Sequence, residues 1–516
     1  MKSNILNKVP VSLNYRDIRQ STHYKIMTLP KPLLIFLSIF FPILLILTLY
    51  HRAEDFDDAW FAEQSYWLLK DGKVRSEFFS GLLGWENQIY VFHKLFVYTG
   101  AFLMTLFGES LYTSKSISLI FLGLLLLAFF LYFQSQPRWK FRFILALILL
   151  LSNVVIVEYS FINRPEMMLV TLGFLSYYFL EKRLFLASGI LAGLAVLTHL
   201  NGLIYLGAGF CLLLFQKEKK GLLLFAISGA IVSGFYFLDA FLNQDIPTLI
   251  TQFRNDPATA DAFSWRNKLK IMADYHQLFF FSEDEIILTA TTILLVWRSW
   301  KQAFFSKYSS LFLYTACLII IFWIILKSNF AYYYLLFTPF FILIIVQILA
   351  DISDRTSIII SRVCLIVYFL IGIRGIFLII QDDFSNPTLA EKNANLAKWM
   401  PRKNVRIIAP LDFFYEQIHH FRIHGTHYFK LLNQKNYQDK RSPEDFFAKA
   451  KADHVEYVIF EKKMVGDRSL LQSTCLMPPI APHRIASYIK VYEDKMNCLY
   501  ALEQTPFYAE NTNSYK

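Results

Sequence analysis

The chain has 516 residues, of which 55% are hydrophobic, 17% aromatic and 18% charged, with a formal net charge of +11 and a mean hydropathy of +0.39. Soluble proteins carry charge on about a quarter of their residues, and here the apolar residues fall in blocks of about 17 to 23, the length that crosses a bilayer as helix. Composition therefore excludes an ordinary water-soluble globular protein. The positive balance points to Lys and Arg held in cytoplasmic loops and to anionic lipid, not to nucleic acid.

Residues 1–32 are polar and basic, with Arg16, Arg19, Lys25 and Lys31, and precede a first span at Leu33–Tyr50. The basic lead is long and no small-residue cleavage site follows, so the span reads as a retained anchor with a cytoplasmic N-terminus. Residues 51–88 form a polar loop with eight acids and four Lys or Arg. It opens on Glu54-Asp55-Phe56-Asp57-Asp58-Ala59-Trp60-Phe61, at the start of a short amphipathic helix. Trp60 and Trp67, seven apart, form an aromatic stripe suited to a membrane interface. Ile89–Phe107 is apolar but interrupted by His93 and Lys94. Further spans fall at about 111–133, 143–161, 165–181, 184–198, 202–215, 221–242, 284–300, 308–326, 330–350 and 358–380.

Charge sets the parity. Arg138, Lys140 and Arg142, then Lys182 and Arg183, Lys217 to Lys220, Arg298 with Lys301 and Lys307, and Arg355 with Arg362 mark five basic connections. All five are cytoplasmic only if 89–107 does not cross; if it crossed, all would face outward, against the positive-inside rule. A Lys at the centre of a span also costs about 2.5–3.5 kcal/mol on insertion scales. The segment therefore reads as an interfacial or re-entrant helix on the outer surface, leaving about eleven spans.

Beyond residue 381 the apolar runs shorten to Val405–Ala409, Val455–Phe460, Tyr488–Tyr492 and Cys498–Leu502, which read as strands. Ser442 with Pro443 starts a helix. The whole is thus a polytopic α-helical membrane protein: a cytoplasmic segment 1–32, a transmembrane domain 33–380 with an external loop 51–110, and a small extracytoplasmic α/β domain 381–516. Cys475 and Cys498 lie in that domain and are a candidate disulfide if it faces an oxidising compartment.

Candidates for chemistry collect at the outward connections. Asp57 and Asp58 either cap a helix or place a carboxylate at headgroup level as a general base or metal ligand. His93 and Lys94 either snorkel into headgroups or contact a phosphate. Arg164-Pro165-Glu166 fits a helix start, and equally a phosphate site with a base or metal at the mouth of a bundle. His199 with Asn201 breaks a long apolar run, as residues lining a polar cavity do, and Lys327 with Tyr332-Tyr333-Tyr334 marks another outer edge.

In order along the chain, Asp57-Asp58-Ala59-Trp60-Phe61 with Leu68-Leu69-Lys70-Asp71-Gly72, Val91-Phe92-His93-Lys94-Leu95, Leu106-Phe107-Gly108-Glu109-Ser110, Arg164-Pro165-Glu166 and Gly193 to His199 resemble the motif series of the GT-C membrane glycosyltransferases. Their nearest likeness is to the dolichyl-phosphate-mannose–protein mannosyltransferase and aminoarabinose transferase group. The series departs from that pattern in having no proline after His93, Lys115 in place of Arg, and His199 in place of Lys. The resemblance implies a sugar donor carried on a polyprenyl phosphate and inverting transfer on the outer face of the inner (plasma) membrane to a lipid, glycan or protein acceptor. Under it Asp57 is the base. Arg164 and His93, then Lys94, His199 and Lys327, contact the donor phosphate. Asp58, Glu86 and Glu166 shape the site or hold a divalent metal ion. A transporter or flippase for a lipid-linked saccharide and a non-catalytic membrane scaffold are the alternatives. The absence of an internal repeat and the gathering of ionisable groups at one face disfavour the first.

Overall fold

The structure is a computed structural model and describes residues 31–49, 56–256, 264–299, 308–351, 355–385, 388–426, 443–461, 483–494 and 497–505. Glu54, Asp55, Ser442 and Cys475 lie outside the described residues, and with Cys475 goes the candidate disulfide to Cys498, which is itself buried on a strand.

In chain order the helices are α1 (Lys31–Thr48), α2 (Phe56–Asp71), α3 (Lys94–Phe107), α4 (Leu111–Phe133), α5 (Trp139–Leu151), α6 (Val154–Tyr159), α7 (Glu166–Glu181), α8 (Phe185–Thr198), α9 (Leu203–Phe215), α10 (Lys219–Gly234), α11 (Leu238–Leu242), α12 (Ile246–Asn255), α13 (Trp265–Ala273), α14 (Glu283–Ser299), α15 (Ser309–Ile325), α16 (Thr338–Asp351), α17 (Arg355–Ser385), α18 (Leu389–Lys398) and α19 (Pro443–Ala452). An apolar helix stands at every stretch read as a span. Among the described residues, three stretches are long and apolar enough by themselves to cross a membrane: α4, α10 continued into α11, and the one begun by α17.

Some spans are less regular than their hydropathy. The stretch 143–161 breaks at Ser152-Asn153, where the Asn153 side chain caps α6 by accepting from Ile156 N at 3.0 Å. Gly372 of α17 approaches the Ser152 carbonyl so closely that a Cβ there would collide. The stretch 330–350 begins with a 3-10 turn at Ala331–Leu336 before α16.

Side-chain bonds sort the connections into two ends. At one, Arg142 is buried and bonds Asp351 at 2.7 Å and Gln347. Tyr308 also bonds Asp351, at 2.7 Å. Lys182 reaches Ser135 at 3.2 Å, Arg183 reaches Glu218 at 3.4 Å, Gln216 reaches Ser310 at 3.1 Å, and Arg298 reaches Ser357 at 3.4 Å. The five basic connections are thereby stitched into one layer.

Helix α3 belongs to the other end. At its start Lys94 bonds both oxygens of Asp239 on α11 at 2.6 Å. Just past its end Glu109 pairs with His419 of the terminal domain. Helix formation begins only at Lys94, so residues 89–93 are not part of it.

Above this end sits a second apolar core shared by α2, the loop 74–92, α3, α18 and the terminal sheet. The sheet has the order β2-β1-β3-β6-β5-β4, from β1 (Val405–Ala409), β2 (Phe421–Gly425), β3 (Val455–Glu461), β4 (Arg484–Ile485), β5 (Tyr488–Glu493) and β6 (Asn497–Leu502). β1 runs parallel to β2 and β3, and the remaining pairings are antiparallel. The sheet is docked on the loop by Gly425 N donating to Phe78 O at 3.0 Å.

Loop 74–92 also corrects the reading of the tryptophans. Trp60 stacks on Trp85 at 5.5 Å and meets Phe79 edge-on at 4.3 Å, while the Arg75 guanidinium lies 3.4 Å over Trp67. Both are half-buried against protein, because the loop offers them an aromatic and cationic lining. The loop is clasped by buried Glu63 on α2, which accepts from Ser76 Oγ at 2.5 Å, Glu77 N at 2.6 Å, Phe78 N at 3.2 Å and Trp67 Nε1 at 3.2 Å. Burial pushes the Glu63 carboxyl up to about 8, against the downward pull of those hydrogen bonds. Glu63→Ala leaves several buried donors without an acceptor, at about 1–3 kcal/mol each before relaxation. The thermal midpoint of the detergent-solubilised protein should fall by several degrees in Glu63→Ala and by less in Glu63→Gln; equal midpoints in all three would show that the clasp carries no stability.

Candidate functional site

The site forms where the N-termini of α2 and α7 meet. The turn before α7 is held from α4, whose Ser118 Oγ donates to the Ile162 carbonyl at 2.5 Å. Pro165 then starts α7, as expected where a fixed φ suits a first turn, and Glu166 follows in that first turn. The turn presents Arg164 to the first turn of α2.

Arg164 is bound on both sides. Its Nε and Nη2 donate to the two oxygens of Glu166 at 3.1 and 2.9 Å, and its Nη1 pairs with Asp57. The guanidinium also lies 4.0 Å over the ring of Tyr332. Burial works against its charge, yet Glu166 and Asp57 hold its pKa well above the ordinary arginine value. Glu166 is buried, whereas the Asp57 side chain keeps 23% exposure, so Asp57 is the member of the trio that solvent and a substrate can reach.

Asp58 faces the other way and is fully buried. Its carboxylate pairs with buried Lys115 of α4 at 3.0 Å and accepts from Asn163 N at 2.6 Å. Its main-chain carbonyl accepts from Asn163 Nδ2 at 2.8 Å and from the Tyr415 hydroxyl at 2.9 Å. The adjacent acids therefore divide: Asp58 anchors and Asp57 opens to the site.

Beside Arg164, the rings of His93 and His199 stack with centroids 4.5 Å apart and 18° between planes. His93 also packs on Phe61 of α2 at 5.1 Å, and His199 meets Tyr333 edge-on at 6.1 Å. Both imidazoles are neutral at neutral pH. Burial, then His199, drives the pKa of His93 well below its ordinary value, and burial, then Arg164 and Lys327, pushes that of His199 to about 3. His199 Nδ1 accepts from Asn201 N at 2.9 Å, which leaves the ring proton on Nε2. The Thr198 backbone lies within hydrogen-bonding reach of His93 and pulls its pKa upward, against burial. Lys327, close enough to depress His199, lies 3.9 Å over the Phe253 ring.

Asp57, Arg164, Glu166, His93 and His199 thus converge, with Lys327 at the edge. Two other candidates do not join them. Lys94 is committed to Asp239 and stacks 4.2 Å over Phe92, because a carboxylate stands within reach of its buried ammonium. Glu86 closes its own loop by accepting from Gly81 N at 3.1 Å. Among the described residues no group of three His, Cys, Asp or Glu is arranged to hold a metal ion. The Arg164 guanidinium occupies the space between Asp57 and Glu166 where a cation would stand.

Sequence reasoning gave Asn163 and Tyr415 no role and read Tyr332 and Tyr333 only as part of an outer edge. The tyrosine run carried a signal, since three successive tyrosines beside Lys327 exceed what anchoring needs. Tyr415 carried none, lying 357 residues from its partner.

No protein-family model and no curated protein matches the chain. Among solved structures it is similar to ArnT, an aminoarabinose transferase, from Cupriavidus metallidurans. The apo form aligns with a TM-score of 0.60 at 11% identity, covering 91% of this chain and 98% of that one. The form bound to undecaprenyl phosphate aligns with a TM-score of 0.57 at 12% identity, covering 92% and 98%. At this identity the likeness speaks to fold alone: 91% of the chain shares the fold of ArnT.

Proposed function

We propose that the chain is an integral-membrane glycosyltransferase that moves a sugar from a polyprenyl-phosphate donor to an acceptor on the extracytoplasmic face, with inversion. The observation that carries this reading is the meeting of a half-exposed carboxylate, Asp57, with a buried arginine, Arg164, at one end of a GT-C bundle. The ArnT structure bound to undecaprenyl phosphate supports the donor class. The N-terminus lies in the cytoplasm of a cell with its terminal domain outside the inner (plasma) membrane, as the layer of basic connections at the opposite end supports.

The reaction is one displacement. The donor phosphodiester, singly charged with two non-bridging oxygens that match the guanidinium fork, competes with Asp57 for Arg164 and takes it. Asp57 is thereby released to accept the proton of the acceptor hydroxyl. The acceptor oxygen bonds to the anomeric carbon from the face opposite the phosphate. The carbon–oxygen bond to the phosphate breaks, and the electron pair leaves with polyprenyl phosphate. Arg164 steadies the charge that develops on that leaving group. His199 supplies a neutral Nε2–H donor and Lys327 a cation. Glu166 holds Arg164 in place while Asp57 exchanges it.

The direct test is an assay of the purified protein against a panel of polyprenyl-phosphate sugars; no transfer from any of them would defeat the reading. Asp57→Asn should lower transfer by about 10²–10⁴-fold, the usual worth of a general base. The same variant should bind undecaprenyl phosphate more tightly than wild type, because Arg164 loses its resident carboxylate; weaker binding would refute the exchange. His199→Gln, which keeps an N–H donor, should retain activity within about tenfold while His199→Ala loses more, since neutral donation is what the site uses. The histidines also make stability pH-dependent. Both are neutral in the fold and protonate when unfolded near 6.5, so their contribution is complete above about pH 6.5 and falls away below it, that of His199 as pH falls toward 3. The thermal midpoint should drop over that window, less steeply in His199→Gln.

A further inference from the structure

Tyr415 belongs to the segment that follows β1, on the terminal domain, yet it ends at the catalytic corner. Its hydroxyl donates to the main-chain carbonyl of Asp58 at 2.9 Å. It is fully buried. The segment carrying it is held from behind by α18. Asn393 Nδ2 donates to the Asp412 and Tyr415 carbonyls at 3.0 and 3.3 Å, and Lys392 pairs with Asp412 at 2.8 Å and Glu461 at 2.6 Å. A continuous chain of bonds therefore runs from the end of β3 to the residue beside Asp57.

The geometry points to Tyr415 as a positioning residue for the base, through which the terminal domain completes the active site. This rests on the glycosyltransferase reading above. Asp57 and Asp58 share the first turn of α2, and the first turn of a helix is the part least held by the helix's own hydrogen bonds. Lys115 and Asn163 tie the Asp58 side chain from the membrane bundle. Tyr415, with Asn163, ties its backbone, which is what sets the direction of the Asp57 carboxyl. A catalytic group displaced by about 1 Å loses on the order of 10²-fold in rate. A bond from the terminal domain to this turn thus acts on kcat, while the donor phosphate, held by Arg164, sees little change.

The test compares Tyr415→Phe with Phe414→Leu in the full-length protein. Phe414 fills the same interface against Phe78 and Tyr66 but makes no bond to Asp58. Tyr415→Phe should lower kcat about tenfold, leave the donor KM within twofold, and speed amide hydrogen exchange in residues 57–62 without changing α4 or α7. Phe414→Leu should lower the thermal midpoint more and kcat less. Tyr415→Phe with wild-type kcat and wild-type exchange at 57–62 would overturn the assignment. So would a kcat loss that only tracks a fall in thermal midpoint, as in Phe414→Leu. Exchange at 57–62 needs no turnover. If wild type transfers no sugar, the function fails on its own terms, and accelerated or unchanged exchange still decides whether Tyr415 orders the turn.

Discussion

A carboxylate withdrawn from water at the end of a helix bundle costs several kcal/mol unless charge and hydrogen bonds repay it. Asp58 is such a group, and the outer end of the molecule is arranged around repaying it. Lys115 comes from α4 and the Asn163 amide from the turn before α7, while the carbonyl of the same residue binds a side chain of the terminal domain. Four parts of the chain meet on one residue. Because Asp57 is its neighbour on the same helical turn, satisfying the buried acid also places the half-exposed one.

The two ends of the bundle use their charges differently. At the end with the basic connections, Arg142 is buried against Asp351, Gln347 and the Pro137 carbonyl and joins two connections. At the other end Arg164 is shared between two carboxylates, Asp57 and Glu166, and lies among tyrosines and imidazoles. Arg142 has a single carboxylate partner; Arg164 can release Asp57 and keep Glu166. That asymmetry makes one end structural and the other suited to chemistry, although both are built from arginine and acid.

Much of this was legible in the sequence because hydropathy and charge are local properties. The helices stand where the apolar blocks lie, and the four strands with continuous apolar runs appear. Asp57, His93, Arg164, Glu166 and His199 were identified from their places at outward turns, and they converge. What was not legible depends on partners distant in sequence. The tryptophans of α2 looked lipid-facing until loop 74–92 packed against them, and Lys94 looked available until Asp239 reached it. β2 was hidden because FRIHG has only two strong apolar residues, Phe421 and Ile423, facing the core. α18 was hidden because its polarity masks the capping box of Thr388 and Glu391 that starts it.

The shared outer core has a consequence for how the protein is made. Its apolar residues come from 59–111 and from 389–501, with the bundle's remaining helices synthesised between them. At elongation rates of about 5–20 residues per second, α2 and loop 74–92 wait on the order of tens of seconds for the strands that cover them. During that interval Asp58 lacks Tyr415, Glu109 lacks His419, and the aromatic underside of the loop is open. The corner that holds Asp57 and Arg164 is therefore among the last parts to set. Insertion of the helices is separated in time from the assembly of the site.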